Sequence, residues 1–379
     1  TRTTGFRRGR TAEHLGASPL DMHDIAIIGA GKFGRMATHM LATCGDYRVR
    51  VGDSVAASLS HVQSAYPNVE THTFDFHDVV ALDRILAGAK AVISCAPFHC
   101  NPLIAERARA AKVHYLDLTE DVAVTKRVLE LSHGAETAFV PQCGLAPGFI
   151  TIVATNLIAP MSEVTDLRLR VGALPRFPDN QLRYNLTWST EGLINEYCNP
   201  CEALMDGRLV TVPPMEHLES LLIDGVEYEA FNTSGGLGTL ADTLRGRVRN
   251  VNYKTIRFPG HNKLMRFLLD DLRMRDHREE LGRIFERALP TTYQDQIVIF
   301  VSATGTFRGR LTERTYAKTV FHKFIDNENW SGIQITTAAG VCAVLDLLVQ
   351  GRIPQRGFVR MEQIQYDEFV ANRFGQHYA

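Results

Sequence analysis

Residues 25–34 read IAIIGAGKFG, and this stretch decides the fold of the first part of the chain. Its four leading apolar residues predict a short buried strand. The G-x-G-x-x-G pattern of Gly29, Gly31 and Gly34 follows at once, and apolar periodicity then predicts a helix over residues 33–43. In such a context the first glycine permits a tight turn, the second lets amides approach a pyrophosphate, and the third allows close helix–strand packing. The stretch therefore predicts the opening βαβ unit of a Rossmann domain.

The second predicted strand, residues 48–53, selects the nucleotide. It ends in Asp53, about 20 residues beyond the glycines, where a carboxylate accepts hydrogen bonds from the ribose hydroxyls of NAD and repels the 2′-phosphate of NADP. Residues 54–57 are neutral, so no arginine is placed to bind that phosphate. We therefore predict an NAD site; the alternative is a glycine turn without a ligand and an aspartate that caps a loop.

Parallel sheets bind ligands beyond the carboxyl ends of their strands. The loops over residues 97–99 and 119–121 follow two further predicted strands and should line the nicotinamide side; ordinary connecting turns are the alternative. The predicted cofactor contacts are Gly29, Ala30, Gly31, Lys32, Phe33, Gly34, Asp53, Ala96, Pro97, Leu118 and Thr119.

The pattern of elements predicts an α/β chain with two main parts. Strands alternate with helices up to residue 141, which indicates a doubly wound parallel sheet. Longer strand-like runs then predict a second α+β domain with a mixed sheet. Those runs are 164–173, 181–189, 297–304 and 312–321. The predicted divisions are 22–148 for the Rossmann domain, 149–333 for a substrate and dimerisation domain, and 334–379 for a helical segment that returns to the Rossmann half.

Residues 1–21 differ from the rest of the chain. They carry Arg2, Arg7, Arg8 and Arg10, show no apolar periodicity, and precede Met22, which stands directly before the first strand. The simplest interpretation is an extension or an expression remnant ahead of a natural start at Met22. An Arg-rich, acid-poor start is also typical of a transit peptide.

Composition excludes several classes of protein. The 41 basic and 42 acidic residues leave no excess charge to attract nucleic acid or an anionic membrane. Apolar stretches look far shorter than the ~20 residues that span a bilayer.

Seven cysteines, an odd count, argue against a disulfide framework and for a reducing, cytoplasmic location. Cys198 and Cys201 form a C-x-x-C without a second pair, so no metal site is predicted.

Several segments resemble the saccharopine dehydrogenase family. Residues 114–121 (HYLDLTED) resemble a strand-and-loop element of that family, and residues 143–149 (CGLAPGF) resemble its G-L-x-P-G segment. Residues 188–193, 230–236 and 253–261 look like the lysine 6-dehydrogenase branch. The resemblance covers about residues 24–374. It implies NAD-dependent oxidation of an amino-acid amine, most simply the ε-amine of L-lysine to the semialdehyde, and a homodimer formed through the second domain.

Glu191 departs from part of that family. Saccharopine reductases of the fungal type carry an arginine there to hold a substrate carboxylate. An acidic side chain suits an ammonium group instead, which favours lysine or another free amine over saccharopine. Equally, Glu191 could simply favour the first turn of a helix.

The implied chemistry needs a proton acceptor and a carboxylate ligand. Arg257 could clamp the substrate α-carboxylate, and Lys254 or His261 could move protons. Strand alternation puts Lys254 and Arg257 on opposite faces, and Arg257 is favoured. Asp117 could contact the ribose, the amine or only backbone amides. The predicted catalytic residues are Asp117, Glu191, Arg257 and His261.

Two alternatives stay open at this point. One is a saccharopine dehydrogenase that releases glutamate and the semialdehyde. The other, of a different class, is an NAD-binding scaffold or redox sensor without turnover.

Overall fold

The computed structural model describes residues 22–379. The predictions for residues 1–21 lie outside the described residues.

A seven-stranded, wholly parallel sheet forms the first half, in the order β17-β6-β5-β4-β1-β2-β3. Its strands are β1 (His23–Ile28), β2 (Tyr47–Asp53), β3 (Glu70–Thr73), β4 (Ala91–Ser94), β5 (His114–Asp117), β6 (Ala138–Val140) and β17 (Gly357–Phe358). Its helices are α1 (Lys32–Thr43), α2 (Ala56–Ala65), α3 (Val79–Leu86), α4 (Asn101–Ala111) and α5 (Val122–Ser132). The Rossmann prediction is confirmed. The sequence missed β3 and β17, because one is polar and half-exposed and the other has two residues.

The second half is built on a mixed eight-stranded sheet, as predicted. Its main path is β10-β11-β12-β7-β13-β14, and the hairpin of β8 and β9 joins β12; only the β12–β7 pair is parallel. The strands are β7 (Glu163–Pro175), β8 (Cys201–Met205), β9 (Arg208–Val212), β10 (Glu219–Ile223), β11 (Val226–Asn232), β12 (Val248–Arg257), β13 (Asp295–Phe307) and β14 (Arg310–Phe321). A small hairpin, β15 (Lys323–Ile325) with β16 (Glu328–Trp330), follows them.

The predicted strand over residues 181–189 is wrong. This run forms only an isolated bridge between Leu186 and Thr291. Its alternation arises because Tyr184 and Leu186 enter an apolar cluster with the helices α7 (Thr190–Cys198) and α10 (Arg278–Ala288) instead of pairing with a strand.

Helices connect the two sheets. They are α6 (Phe149–Ile158) and α11 (Gly332–Val349). Three short helices lie elsewhere in the second part of the chain: α8 (Leu240–Leu244), α9 (His261–Arg266) and α12 (Tyr366–Ala371). Helix α11 packs against both α1 and β13, and β17 joins the first sheet, so the C-terminal segment returns to the Rossmann half as predicted. Close packing explains its small residues: a Cβ on Gly340 would lie 2.6 Å from the carbonyl oxygen of Cys143.

Helix α11 also corrects the estimate of apolar length. Among residues 22–379 it is the one helix long and apolar enough to cross a membrane, with a mean hydropathy of 1.8 over 18 residues. The expectation that every apolar stretch is far shorter was wrong for it. Since 89% of this segment is buried inside the protein, its apolar surface is accounted for by the core.

Candidate active site

The glycine loop has the geometry of a nucleotide cradle. Gly29 has φ of +104°, and a Cβ there would lie 2.6 Å from the carbonyl oxygen of Cys95. A Cβ on Gly34 would lie 1.8 Å from the carbonyl oxygen of Gly29, which pins α1 to the end of β1. At Gly31, by contrast, no described residue beyond its chain neighbours lies within 4 Å of a Cβ placed there, and no side chain of residues 22–379 caps the helix amides. The loop therefore leaves room, and free N–H groups, for a pyrophosphate.

Replacing Gly31 by alanine tests this cradle. Gly31 has a negative φ and open surroundings, so stability should change by no more than about 0.5 kcal/mol. The added methyl group would occupy the pyrophosphate space, and NADH affinity should fall roughly tenfold or more, which is about 1.4 kcal/mol. Thermal melting and NADH fluorescence titration measure the two effects. Gly34→Ala is the matched control, in which melting and binding should fall together; wild-type NADH affinity in Gly31→Ala would contradict the assignment.

Asp53 is buried at the end of β2 and ties the loop to this strand. One carboxylate oxygen accepts from the Ala30 amide at 2.5 Å, and the other accepts from the Val55 amide at 2.7 Å. Each oxygen keeps a second lone pair, so the carboxylate can still accept from ribose hydroxyls.

A cleft beyond the carboxyl ends of β4 and β5 extends from this loop. Five of the predicted cofactor contacts line it: Phe33, Ala96, Pro97, Leu118 and Thr119. The second half of the chain closes the cleft with Trp188, Ser189, Glu191 and Gly192. The nicotinamide end of a dinucleotide would lie here, between the two halves.

The second half also holds the glycine loop directly. Lys32 Nζ donates to the Thr187 carbonyl at 3.2 Å, and the Gln334 side-chain amide donates to the Lys32 carbonyl at 3.0 Å. Burial lowers the pKa of Lys32, which the negative charge of Asp295 partly opposes. Lys32 therefore links the cofactor loop to the second half of the chain.

A second cavity lies deeper, between the 144–147 segment and the inner face of the mixed sheet. Val171, Ala173, Tyr253, Thr255 and Arg257 line it from β7 and β12. The cavity shares one wall with the cofactor cleft, formed by Phe33, Leu118, Glu120 and Trp188. A substrate in this cavity would therefore meet the nicotinamide at that wall.

Arg257 is the cation of this cavity, and its side chain is only 2% exposed. Nε donates to the Tyr197 hydroxyl at 2.7 Å, while Nη1 donates to Thr255 Oγ1 at 2.7 Å and to the Ile256 carbonyl at 2.9 Å. Among the hydrogen bonds of the described residues, Nη2 is the guanidinium nitrogen that keeps free donors. The predicted two-nitrogen clamp on a carboxylate would break one of these bonds, so Arg257 offers a substrate a single nitrogen. Lys254, on the opposite face, pairs with Glu219, as strand alternation predicts.

His261 lies behind Arg257 and does not line the cavity. Its Nδ1 is 2.8 Å from the Leu182 carbonyl, so this nitrogen carries the proton, and Nε2 accepts from the Tyr197 hydroxyl at 3.0 Å. Burial, with the positive charge of Arg257, lowers the pKa of His261 to about 3. A histidine held neutral in this way orients Tyr197 and, through it, Arg257. The structure therefore gives no support to a proton-transfer role.

Two carboxyl groups in the cavity were not among the residues predicted to be catalytic. Glu196 of α7 has an oxygen 4.0 Å from Arg257 Nη2; burial raises its pKa to about 8, with Glu120 adding to the rise and Arg257 opposing it. Burial likewise raises the pKa of Glu120 to about 7, and part of this rise comes from neighbouring carboxylates. Glu120 had a sequence signal, since it follows the carboxyl end of a parallel strand. Glu196 had none, because only the fold brings α7 to β12.

Asp117 ends β5 fully buried, and its partners are internal. It accepts from the Tyr115 hydroxyl at 2.8 Å, the Thr119 amide at 3.0 Å and the Gln142 amide at 2.9 Å. Of the three contacts considered from the sequence, the structure shows the backbone amides. Asp117 lines neither the cofactor cleft nor the substrate cavity.

Glu191 is exposed and lies in the first turn of α7, two residues after the N-cap Ser189. It lines the cofactor cleft but not the deeper cavity. Its position fits the helix-turn interpretation, and an ammonium ligand there would have to lie at the cleft and not beside Arg257.

Comparison with known protein families gives a separate match for each of the two halves of the chain. A family model described as the saccharopine dehydrogenase NADP binding domain matches residues 25–140, and one described as the saccharopine dehydrogenase C-terminal domain matches residues 144–376. The chain belongs to the saccharopine dehydrogenase family. It is therefore an oxidoreductase with a pyridine-nucleotide-binding domain.

The relatives within this family are distant. Saccharopine dehydrogenase [NADP(+), L-glutamate-forming] of Saccharomyces cerevisiae is 22% identical over 89% of this chain and 80% of its own. The bovine mitochondrial alpha-aminoadipic semialdehyde synthase is 22% identical over 60% of this chain, but the match spans only 27% of the bovine protein. The apo structure of saccharopine dehydrogenase (L-Glu forming) from Saccharomyces cerevisiae superimposes with a TM-score of 0.77 at 17% identity, over 94% of this chain and 96% of that one. This agreement shows the fold.

Proposed function

We propose that this family member is an NAD-dependent dehydrogenase that oxidises the ε-amine of L-lysine, or of a closely similar diamino acid, to an imine that water hydrolyses to the semialdehyde and ammonia. The proposal depends on one observation, the set of charged groups in the substrate cavity. That set is one guanidinium, Arg257, and two carboxyl groups, Glu120 and Glu196.

Lysine is the electrostatic complement of this set. It carries one carboxylate and two ammonium groups, whereas saccharopine carries three carboxylates, two of which would find no cation among the residues that line the cavity. Buried charges must be paired to be tolerated. The α-carboxylate would bind Arg257 Nη2, and Glu196, within 4.0 Å of that nitrogen, is placed for the adjacent α-ammonium. The ε-amine would then extend toward Glu120 and the cofactor cleft.

A bound NAD supplies the hydride acceptor, and the protein supplies position and electrostatics. The glycine loop and Asp53 would hold the pyrophosphate and the ribose. Tyr197, Thr255 and His261 hold the guanidinium of Arg257 in one orientation. Phe33, Leu118 and Trp188 form an apolar wall that excludes water from the path of the hydride.

NADH formation with NAD and either L-lysine or saccharopine, offered separately at alkaline pH, tests the proposal. A rate with lysine, accompanied by ammonia release, is the expected result. A rate with saccharopine alone would move the assignment to the glutamate-releasing reaction. Tight NADH binding without turnover of any amine would support the scaffold alternative, against which the buried polar cluster around Arg257 argues.

The use of NAD is part of the proposal, because the family model and the yeast relative are both described as NADP-linked. Asp53→Asn keeps the shape and the Ala30 contact but removes the charge that repels a 2′-phosphate. The ratio of kcat/KM with NAD to that with NADP should fall roughly tenfold, which is about 1.4 kcal/mol. Initial rates with both cofactors measure it. A wild-type enzyme that prefers NADP would contradict the choice of cofactor and leave the amine assignment standing.

The homodimer and the cytoplasmic location stay predictions. A homodimer formed through the second domain would double the mass of the 42.3 kDa chain in light scattering.

A further inference from the structure

The wall between the two cavities contains a single ionisable side chain. Of Phe33, Leu118, Glu120 and Trp188, only Glu120 can take up a proton. Among residues 22–379 the cofactor cleft and the substrate cavity share only these four side chains, so a hydride passing from a bound substrate to a bound dinucleotide would cross at this wall. A group that accepts the proton of the reacting amine has to lie within hydrogen-bond reach of the same place.

The surrounding backbone is shaped around Glu120. A Cβ on Gly192 would lie 3.0 Å from Glu120 Oε1, and a Cβ on Gly235, where φ is +86°, would lie 2.9 Å from the Glu120 Cβ. The second half of the chain therefore approaches this side chain closely at two glycines. Within residues 22–379 Glu120 forms no salt bridge, so its carboxylate is available to a ligand in the cavity.

We propose that Glu120 is the proton acceptor for the amine that is oxidised. This inference rests on the proposed function in its reaction class, amine oxidation. The carboxylate of Glu120 takes one proton from the substrate ammonium and leaves the neutral amine. A bound nicotinamide cofactor would supply the two-electron acceptor. The C–H bond at the adjacent carbon would then break with loss of hydride to that acceptor, and the nitrogen lone pair would form the C=N bond. Water adds to this iminium and ammonium leaves, while the proton held by Glu120 passes to solvent.

The other candidate groups are placed less well for this step. Glu196 lies at the Arg257 end and lines only the substrate cavity. His261 is behind Arg257 with both ring nitrogens engaged. Asp117 is occupied by three internal donors, and Glu191 lines the cofactor cleft but not the substrate cavity.

Glu120 is also tuned for proton transfer near neutral pH. Burial, with smaller contributions from the carboxylates of Asp121, Asp117 and Glu191, raises its pKa to about 7, and Glu196 lines the same cavity. The carboxyl is ionised, and able to accept a proton, above that pKa. The rate kcat/KM should therefore rise with pH through about 7.

Glu120→Gln tests the proposal on the full chain. General-base catalysis contributes about 10²- to 10⁴-fold, so kcat should fall by that factor while KM changes much less. The rise of kcat/KM near pH 7 should disappear, and NADH affinity, measured by fluorescence without substrate, should stay at the wild-type value. Formate added to Glu120→Ala should restore part of the rate. Glu202→Gln is the matched control, since Glu202 is a half-buried carboxyl whose pKa burial also raises, outside both cavities.

Each outcome decides between the alternatives. A Glu120→Gln enzyme that keeps kcat within a few-fold, or keeps the pH dependence, overturns the proposal. If the wild-type protein oxidises saccharopine and not lysine, the proposed substrate fails, but the same comparison on saccharopine still tests Glu120. A wild-type protein that turns over no amine overturns both.

Discussion

Replacing Arg257 by methionine is expected to lower kcat/KM for L-lysine by about 10³-fold. Methionine fills much of the same space without charge or donors. The change removes the ligand of the α-carboxylate and also the cation beside Glu196. Loss of one partner from a buried, hydrogen-bonded charge pair costs about 2–5 kcal/mol, and each 1.4 kcal/mol is about tenfold in rate or affinity. The effect should appear mainly in KM, because the carboxylate is remote from the reacting carbon.

Two further variants separate binding from folding. Arg170→Met removes another buried arginine, which pairs with Glu219 on the opposite face of the same sheet. It should lower thermal stability and leave the KM for lysine unchanged. Arg257→Lys keeps the charge but loses the geometry set by Tyr197 and Thr255, so it should recover only part of the activity. A folded Arg257→Met protein with kcat/KM within a few-fold of wild type would contradict the assignment of Arg257 to the carboxylate.

Asp117→Ala is expected to destabilise the protein by about 3 kcal/mol or more. Alanine leaves the Tyr115 hydroxyl and the amides of Thr119 and Gln142 buried without an acceptor, and each unsatisfied donor costs about 1–3 kcal/mol. Asp117→Asn should be far milder, since its oxygen can accept from both amides and its NH₂ can donate to the tyrosine. Thermal melting, with activity assayed well below the transition, measures both. Loss of kcat in a stable Asp117→Asn protein would show a catalytic role that the structure does not support.

The difference in stability between wild type and Asp117→Asn should depend on pH with a definite sign. Burial raises the pKa of Asp117 to about 6, while its hydrogen bonds oppose the rise. A carboxyl whose pKa is higher in the folded state contributes stability that is present at low pH and is lost as the pH rises through that value. The melting temperature of Asp117→Asn, relative to wild type, should therefore improve between pH 5 and pH 8.

The nucleotide half could be predicted in detail because its signals are local. The run from Ile25 to Gly34 contains a strand, a turn and a helix start in ten residues, and Gly29 and Gly34 each stand where a Cβ would collide with nearby backbone. Asp53 and the residues at the ends of β4 and β5 follow from the rule that ligands bind at the carboxyl ends of parallel strands. Alternation along β12 was likewise enough to separate Arg257 from Lys254.

The substrate cavity could not be predicted in this way, because its walls come from distant parts of the chain. Glu196 and Arg257 are 61 positions apart in the sequence. Their carboxylate and guanidinium lie 4.0 Å apart because of how α7 packs on β12. The same packing places His261 behind Arg257 and Asp117 among internal donors, so two residues whose types suit catalysis have structural partners instead. The sequence by itself determined the fold class and the cofactor loop, which rest on short-range sterics and periodicity. Only the tertiary structure decided which charged groups share the cavity, because burial and distance between remote side chains are set by the packing of the two sheets.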